Sequence, residues 1–277
     1  MGKEKTLYIT DLDGTLLGDN ARLSAYTRDT LNSLIAKGLL FSFATARSIV
    51  TASQCVAGLK LQGPVILGNG TFVSQYPSGQ MYRTAAMAEE QKHVMLTLLE
   101  REQAPILSFA MIDGRERVSW IKGRENGGVK RYLQDRKGDV RLRPVETFEE
   151  LGRGQVTSLT VVEEEGRTRY LKGLCEALPG YDVSLMADTY HPQDWTVSIC
   201  LAGISKATGL DMLRDMLDVD KIVVFGDNLN DLPLFAAADE CYAVANAKDE
   251  LKAVATGVIG SNEEDGVARW LAEHGQI

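Results

Sequence analysis

Short apolar runs alternate with helical stretches at the start of the chain. Leu7 to Thr10 reads as a buried strand; Ser24 offers a capping oxygen to a helix from Ala25 to Lys37, which Gly38 can end in a left-handed conformation. Leu39 to Thr45 is the next apolar run, followed by a helix from Ser48 to Ala57 and a short strand from Val65 to Leu67. That succession predicts a parallel sheet covered by helices. The same rhythm returns late. Lys206 to Leu217 puts Leu210, Leu213 and Leu217 on one helical face, Lys221 to Phe225 is a buried strand, and Asp231 to Ala236 begins another helix. Strands near Cys241 to Val244 and Val258, and helices near Lys248 to Ala253 and Gly266 to Glu273, complete the pattern.

The middle of the chain differs. After a helix from Ala88 to Arg101, the runs Ile106 to Ile112 and Arg115 to Ile121 flank Asp113-Gly114, a hairpin signal. Helical signal from Gly128 to Gln134 leads through a polar stretch to a strand over Val156 to Glu163. A helix over Thr168 to Leu178 and strands near Val183 to Met186 and Trp195 to Leu201 follow. The expected fold class is therefore α/β: a Rossmann-like parallel-sheet core of residues 1–81 and 200–277, with an inserted α+β domain of residues 82–199 built on an antiparallel sheet.

Composition narrows the partners. With 277 residues, 44% hydrophobic and 25% charged, the chain can bury a core and is neither disordered nor fibrous. Its net charge of -8 disfavours nucleic acid and anionic membrane surfaces, so an anionic ligand needs a local countercharge. Met1 to Lys5 runs into a short apolar stretch without signal-peptide character, and no later run is long enough to span a bilayer, so a cytoplasmic protein is expected. Cys55, Cys175, Cys200 and Cys241 lie far apart among apolar neighbours; with three histidines there is no zinc-ligand spacing, and buried reduced thiols are expected.

Candidate chemistry sits just beyond the predicted strands, where ligands bind in open α/β sheets. Asp11 follows the first strand; Asp13 lies two residues on, and Gly14 permits a turn that aims both carboxylates into one cleft. One can attack while the other transfers a proton; equally, Asp-Gly is a common turn. After the second strand, Thr45 and the amides at a helix start can hold a phosphate or sulfate oxygen, or Thr45 can simply cap that helix. Lys206 stands at a helix start, where the dipole does not favour a cation unless an anion lies nearby. Asp227, Asn228, Asn230 and Asp231 follow another buried strand; Asp227 is the candidate metal ligand, and Asp231 either orients its neighbours or caps the next helix. Bare anions about 4 Å apart repel by roughly 4 kcal/mol at an effective dielectric of 20, so Asp11, Asp13 and Asp227 in one cleft need a cation. Oxygen ligands that retain water and accept phosphate suit Mg²⁺ better than zinc.

These segments, in this order, resemble the haloacid dehalogenase superfamily, and the insert resembles that of its Cof-type, type IIB hydrolases. Asp11-Leu12-Asp13-Gly14-Thr15 and Gly226-Asp227-Asn228-Leu229-Asn230-Asp231 carry the likeness together with Thr45 and Lys206; Gly68-Asn69-Gly70, Asn246-Ala247 and Ser261 to Val267 extend it over nearly the whole chain. The resemblance implies that Asp11 is a nucleophile forming an aspartyl phosphate and that Asp13 is the acid and base. It assigns Thr45, Lys206 and Asn230 to phosphate, Asp11, the Asp13 main-chain carbonyl and Asp227 to Mg²⁺, and Asp231 to a supporting role. The insert would be a cap, within which Arg115, Arg117, Arg124, His191 and Asp194 can meet polar substrates or line an ordinary surface. Two positions depart from the family pattern: Ala46 where glycine is common and Gly68 where serine is common. The expected activity is a Mg²⁺-dependent phosphatase for small phosphorylated metabolites, sugar phosphates first, in a monomer or small homo-oligomer. A phosphomutase of the same superfamily is the alternative, and a phospho-signalling receiver a more distant one.

Overall fold

The computed structural model describes residues 4–188 and 191–277; Met1 to Lys3, part of the amino-terminal reading, lie outside it. The described chain divides into two compact units. One comprises the chain up to Arg83 together with Ile204–Ile277, the other Thr84–Gly203.

In the first unit, five parallel strands lie in the order Gly257–Ile259, Glu240–Val244, Lys221–Gly226, Thr6–Thr10, Leu40–Phe43. All five residues of Thr6–Thr10 are buried because this strand is central and covered on both faces, which explains its unbroken apolar character. In register, Thr10 lies between Phe225 and Phe43, so the chain leaves these three neighbouring strands at one edge of the sheet. The loops that follow carry the candidate residues.

The predicted third strand has a different role. Gly63–Leu67 meets the parallel sheet through a single bridge, Ala44 to Ile66, and forms a separate three-stranded sheet with Phe72–Tyr76 and Met81–Thr84. The reversal occurs at Gly68-Asn69-Gly70, where all three residues have positive φ. The two later strands escape a pattern reading because Ser74, Gln75, Pro77 and Ser78 interrupt their apolar alternation.

The second unit holds a six-stranded sheet in the order Tyr181–Ala187, Trp195–Leu201, Gln155–Glu163, Ile106–Ile112, Arg115–Ile121, Leu142–Val145. Contrary to the expectation of an antiparallel sheet, the last pair is parallel. Helix Gly127–Asp135 intervenes between those two strands, and a crossover of that kind returns the chain in the same direction. Leu142–Val145 and the short helix Phe148–Leu151 were hidden in the polar stretch. One face of the sheet buries Ile106, Leu159, Val161, Val197 and Ile199 against Met95 and Leu99 of helix Glu89–Arg101 and Leu171 of helix Glu165–Glu176. On the other face Val129 packs with Leu107, Val118 and Val162.

The four cysteines are free thiols; Cys55, Cys175 and Cys241 are buried, whereas Cys200 is half-buried. Among the described residues, no helix is long and apolar enough to cross a membrane.

Candidate active site

Asp11 is fixed where the first strand ends. Its N–H donates to Phe225 O of the neighbouring strand at 2.9 Å, and Thr10 Oγ1 donates to Asp11 O at 2.7 Å. The Leu12 carbonyl then accepts from Leu16 N at 3.1 Å and Leu17 N at 2.9 Å, coiling the loop tightly. Gly14 makes that loop sterically possible. Its φ is +75°, and a Cβ there would lie 2.5 Å from Asp227 Oδ2, so any side chain would drive the two loops apart.

Lys206 lies 1% exposed, with Nζ 2.7 Å from Asp11 Oδ1 and 2.7 Å from Asp231 Oδ1. The buried anions that its place in the chain called for are therefore protein carboxylates. It belongs to a 3₁₀ turn, Lys206–Gly209, that precedes helix Leu210–Leu217. Burial opposes the ammonium, but the attraction of Asp11 and Asp231 outweighs it and raises the Lys206 pKa. Burial pushes the Asp11 carboxyl up to about 8; Lys206 draws it down, and the negative charge of Asp231 adds to the rise.

Asp231 is an organising acid. It is fully buried; Oδ1 accepts from Lys206, while Oδ2 accepts from the main-chain N–H groups of Asp227 and Asn228, each at 3.1 Å. Those bonds shape the loop after Lys221–Gly226 and aim Asp227. Thr15 Oγ1 donates to Asp227 Oδ1 at 2.9 Å. The Asp227 pKa is raised, chiefly by burial, with the Thr15 bond working against that rise.

Carboxylate oxygens of Asp11, Asp227 and Asp231 can all lie within 4.8 Å of one another. At that spacing each pair of anions repels by at least about 3 kcal/mol at an effective dielectric of 20. Three acids face one ammonium, and the excess of hard oxygen donors suits a divalent cation. With both Asp231 oxygens already bonded, Asp11 and Asp227 are the acids best able to turn toward it.

The other sequence-derived residues make different contacts. Asp13 is half-exposed and gripped by a residue the sequence reading passed over: Arg47 Nε donates to its Oδ2 at 2.8 Å and Arg47 Nη2 to its Oδ1 at 2.5 Å. A cation two residues beyond Thr45 was the available signal, of the same kind that singled out Lys206. Thr15 was missed as a partner of Asp227 for want of any spacing rule. Thr45 is fully buried; its N–H donates to Ile66 O at 3.0 Å and its hydroxyl accepts from Arg47 N at 3.2 Å. Thr45 does not cap the helix Ile49–Cys55, since that cap is Ser48, whose Oγ accepts from Thr51 N. Asn230 Nδ2 donates to Asn69 Oδ1 at 3.3 Å, joining the loops after two strands. The departures have local consequences. Ala46 is exposed, and at Gly68 the φ of +57° favours glycine over the serine common in the family.

The polar residues noted in the second unit are mostly engaged there. Arg131 forks onto the buried Asp194, His191 Nε2 meets Asp135 Oδ2 at 3.0 Å, Arg117 Nη1 donates to Val140 O at 2.6 Å, and Arg124 lies over the Phe148 ring. Trp120 Nε1 donates to Glu125 at 2.9 Å, and Trp195 lies beneath Arg169.

Known proteins resemble this chain over nearly its whole length. Residues 8–271 match the haloacid dehalogenase-like hydrolase family model. The chain is 27% identical over 281 residues to the 5-amino-6-(5-phospho-D-ribitylamino)uracil phosphatase YitU of Bacillus subtilis, covering 97% of each protein. The structure superposes on TM0651 of Thermotoga maritima with a TM-score of 0.79 and 25% identity, over 99% of each chain. It also shares its fold with the subclass IIB sugar phosphatase BT4131, with a TM-score of 0.69 and 22% identity over 97% of this chain and 98% of that one. With Asp11, Lys206, Asp227 and Asp231 gathered beyond a parallel sheet and the family model spanning nearly its whole length, the chain belongs to the haloacid dehalogenase-like hydrolases.

Proposed function

We propose that this protein is a Mg²⁺-dependent phosphatase of small phosphorylated metabolites, with sugar and sugar-alcohol phosphates as the first class, acting through an aspartyl phosphate on Asp11. The observation that carries the reading is the Asp11 carboxylate at the end of a central strand, 2.7 Å from a buried ammonium and clustered with Asp227 and Asp231. The relative acting on a 5-phospho-D-ribityl compound supports the substrate class.

In this reading an Asp11 oxygen attacks phosphorus as the ester P–O bond breaks, and Asp13 gives a proton to the departing oxygen. Water then attacks the aspartyl phosphate, its proton passes to Asp13, and the bond from phosphorus to Asp11 breaks to release inorganic phosphate. Asp13 is forked by Arg47, so that pair must part before Asp13 can act. Lys206 holds Asp11 in place and balances charge as the phosphoryl group arrives; Thr45 and Asn230 supply further donors to it. Asp11, Asp227 and the main-chain carbonyl of Asp13 would hold Mg²⁺, which when bound neutralises charge on the transferring phosphoryl oxygens. The unit Thr84–Gly203 is assigned the role of a cap that selects the leaving group.

The test is phosphate release across sugar phosphates, nucleotides and phosphorylated cofactors, with Mg²⁺ or with chelator. Metal-dependent release from at least one ester, abolished in Asp11→Asn, is expected. Full turnover by the variant on the best substrate overturns the nucleophile assignment; a phosphate-shifted isomer instead of free phosphate assigns a mutase.

A further inference from the structure

We propose that Asn246 is a positioning residue for the cation-binding loops, tying the loop that carries Asp11 and Asp13 to the loop that carries Asp227. The inference rests on the reading above and extends it to a residue outside the acid, hydroxyl and ammonium set. Two hydrogen bonds from one turn, just after strand Glu240–Val244, carry it. Asn246 Nδ2 donates to Gly14 O at 2.7 Å, and two residues further on the Lys248 N–H donates to Asp227 O at 2.8 Å. The turn thus grips the main chain of both loops, and the Thr15 hydroxyl on Asp227 joins them a third time.

The Asn246 amide is itself oriented. Asn262 N donates to Asn246 Oδ1 at 3.0 Å, which leaves Nδ2 as the end that faces Gly14. The Asn262 side chain donates to Leu17 O at 3.0 Å, so the same pair of asparagines holds the nucleophile loop at two points. Gly14 immediately follows Asp13, the residue whose main-chain carbonyl is assigned to the cation. A bond on the Gly14 carbonyl restrains the peptide after a glycine of positive φ, and with it the adjoining peptide that presents the Asp13 oxygen. Mg²⁺ tolerates little departure from octahedral geometry, so ligands drawn from two loops gain affinity when the spacing of those loops is set in advance. Because Asn246 is exposed, its side chain carries no core packing, and its loss is expected to leave the fold intact.

The test uses the full chain stripped of metal. Mg²⁺ is titrated by calorimetry into the wild type, Asn246→Ala, Asn246→Leu and Asn262→Ala, and each protein is melted in chelator. Both Asn246 variants are expected to bind Mg²⁺ about tenfold more weakly, the usual scale for a lost partner of a metal ligand, with metal-free melting temperatures within about 2 °C of wild type. Asn262→Ala keeps its main-chain N–H on Asn246 and is expected to lose less than about threefold in affinity. In turnover, the Mg²⁺ concentration for half-activity is expected to rise in step with the calorimetric constant while kcat at saturating Mg²⁺ stays near wild type. Wild-type Mg²⁺ affinity in Asn246→Ala, or a lowered melting temperature with unchanged affinity, overturns the inference. A wild-type chain that binds Mg²⁺ yet releases phosphate from no ester sinks the phosphatase reading, while weaker Mg²⁺ binding by the Asn246 variants still upholds this one. A wild type that binds no Mg²⁺ sinks both.

Discussion

Replacing Lys206 with methionine removes a buried charge while nearly conserving volume, and its consequence can be worked out from the geometry. The ammonium lies 2.7 Å from both Asp11 and Asp231, and neither side chain has appreciable access to water. Removing one partner of such a set costs roughly 3–5 kcal/mol, because Asp231, and Asp11 once it ionises, are left buried without a counterion. The cost must also depend on pH. In the wild type, burial pushes the Asp11 carboxyl up to about 8 from its ordinary 3.8, so its contribution to stability is full below about pH 4 and is lost as pH rises through the folded value. Lys206 acts to lower that pKa, so the variant holds the proton to higher pH and continues to lose stability where the wild type has levelled off. The destabilisation should therefore be about 3 kcal/mol at neutral pH and grow as pH rises beyond the range in which the wild-type Asp11 ionises. Scanning calorimetry of metal-free protein at pH 6, 7.5 and 9 reads this directly. A melting temperature lower by roughly 6–12 °C at neutral pH, and lower still at pH 9, is expected. A loss below about 1 kcal/mol, or one that shrinks toward pH 9, would refute the electrostatic account.

Two further outcomes follow from the same geometry. If Asp11 holds the cation as proposed, its carboxyl, which burial pushes up to about 8, must give up its proton as the metal arrives, so Mg²⁺ should release more protons at pH 7 than at pH 9; calorimetry in buffers of differing ionisation enthalpy measures it, and a release that is no greater at pH 7 contradicts the expectation. In the second unit, Arg131→Met removes the guanidinium that forks onto the buried Asp194 and should lower stability, whereas Arg131→Met with Asp194→Leu should recover most of the loss; unfolding of the four proteins of the cycle tests this, and a single variant as stable as wild type would remove the pair from the account.

Most of the architecture is legible in the pattern. The strands Ile106–Ile112 and Arg115–Ile121 fall where alternating apolar runs and Asp113-Gly114 place them, because a period of two and a tight turn are local properties. The hairpin after Gly63–Leu67 and the strand Leu142–Val145 were missed for a physical reason. Their residues are held by cross-strand pairing that polar side chains do not reveal, and the parallel direction of Leu142–Val145 comes from the helix before it. Residue types at strand ends also marked Asp11, Asp13, Thr45, Lys206, Asp227 and Asp231 as candidates, without their contacts.

The order of hydrophobic runs and the acids after them determined a parallel sheet, a family and a short register of reactive groups, since these depend on neighbours a few residues apart. Only the tertiary structure decided that Lys206 pairs with Asp11 and Asp231, that Asp13 is gripped by Arg47, and that Asn246 reaches the main chain of Gly14. Those partners lie 195, 25, 34 and 232 residues apart in the chain, and no local pattern constrains them. What brings them together is the packing of parallel strands, which delivers distant loops to one edge of the sheet and leaves buried charges to find one another there.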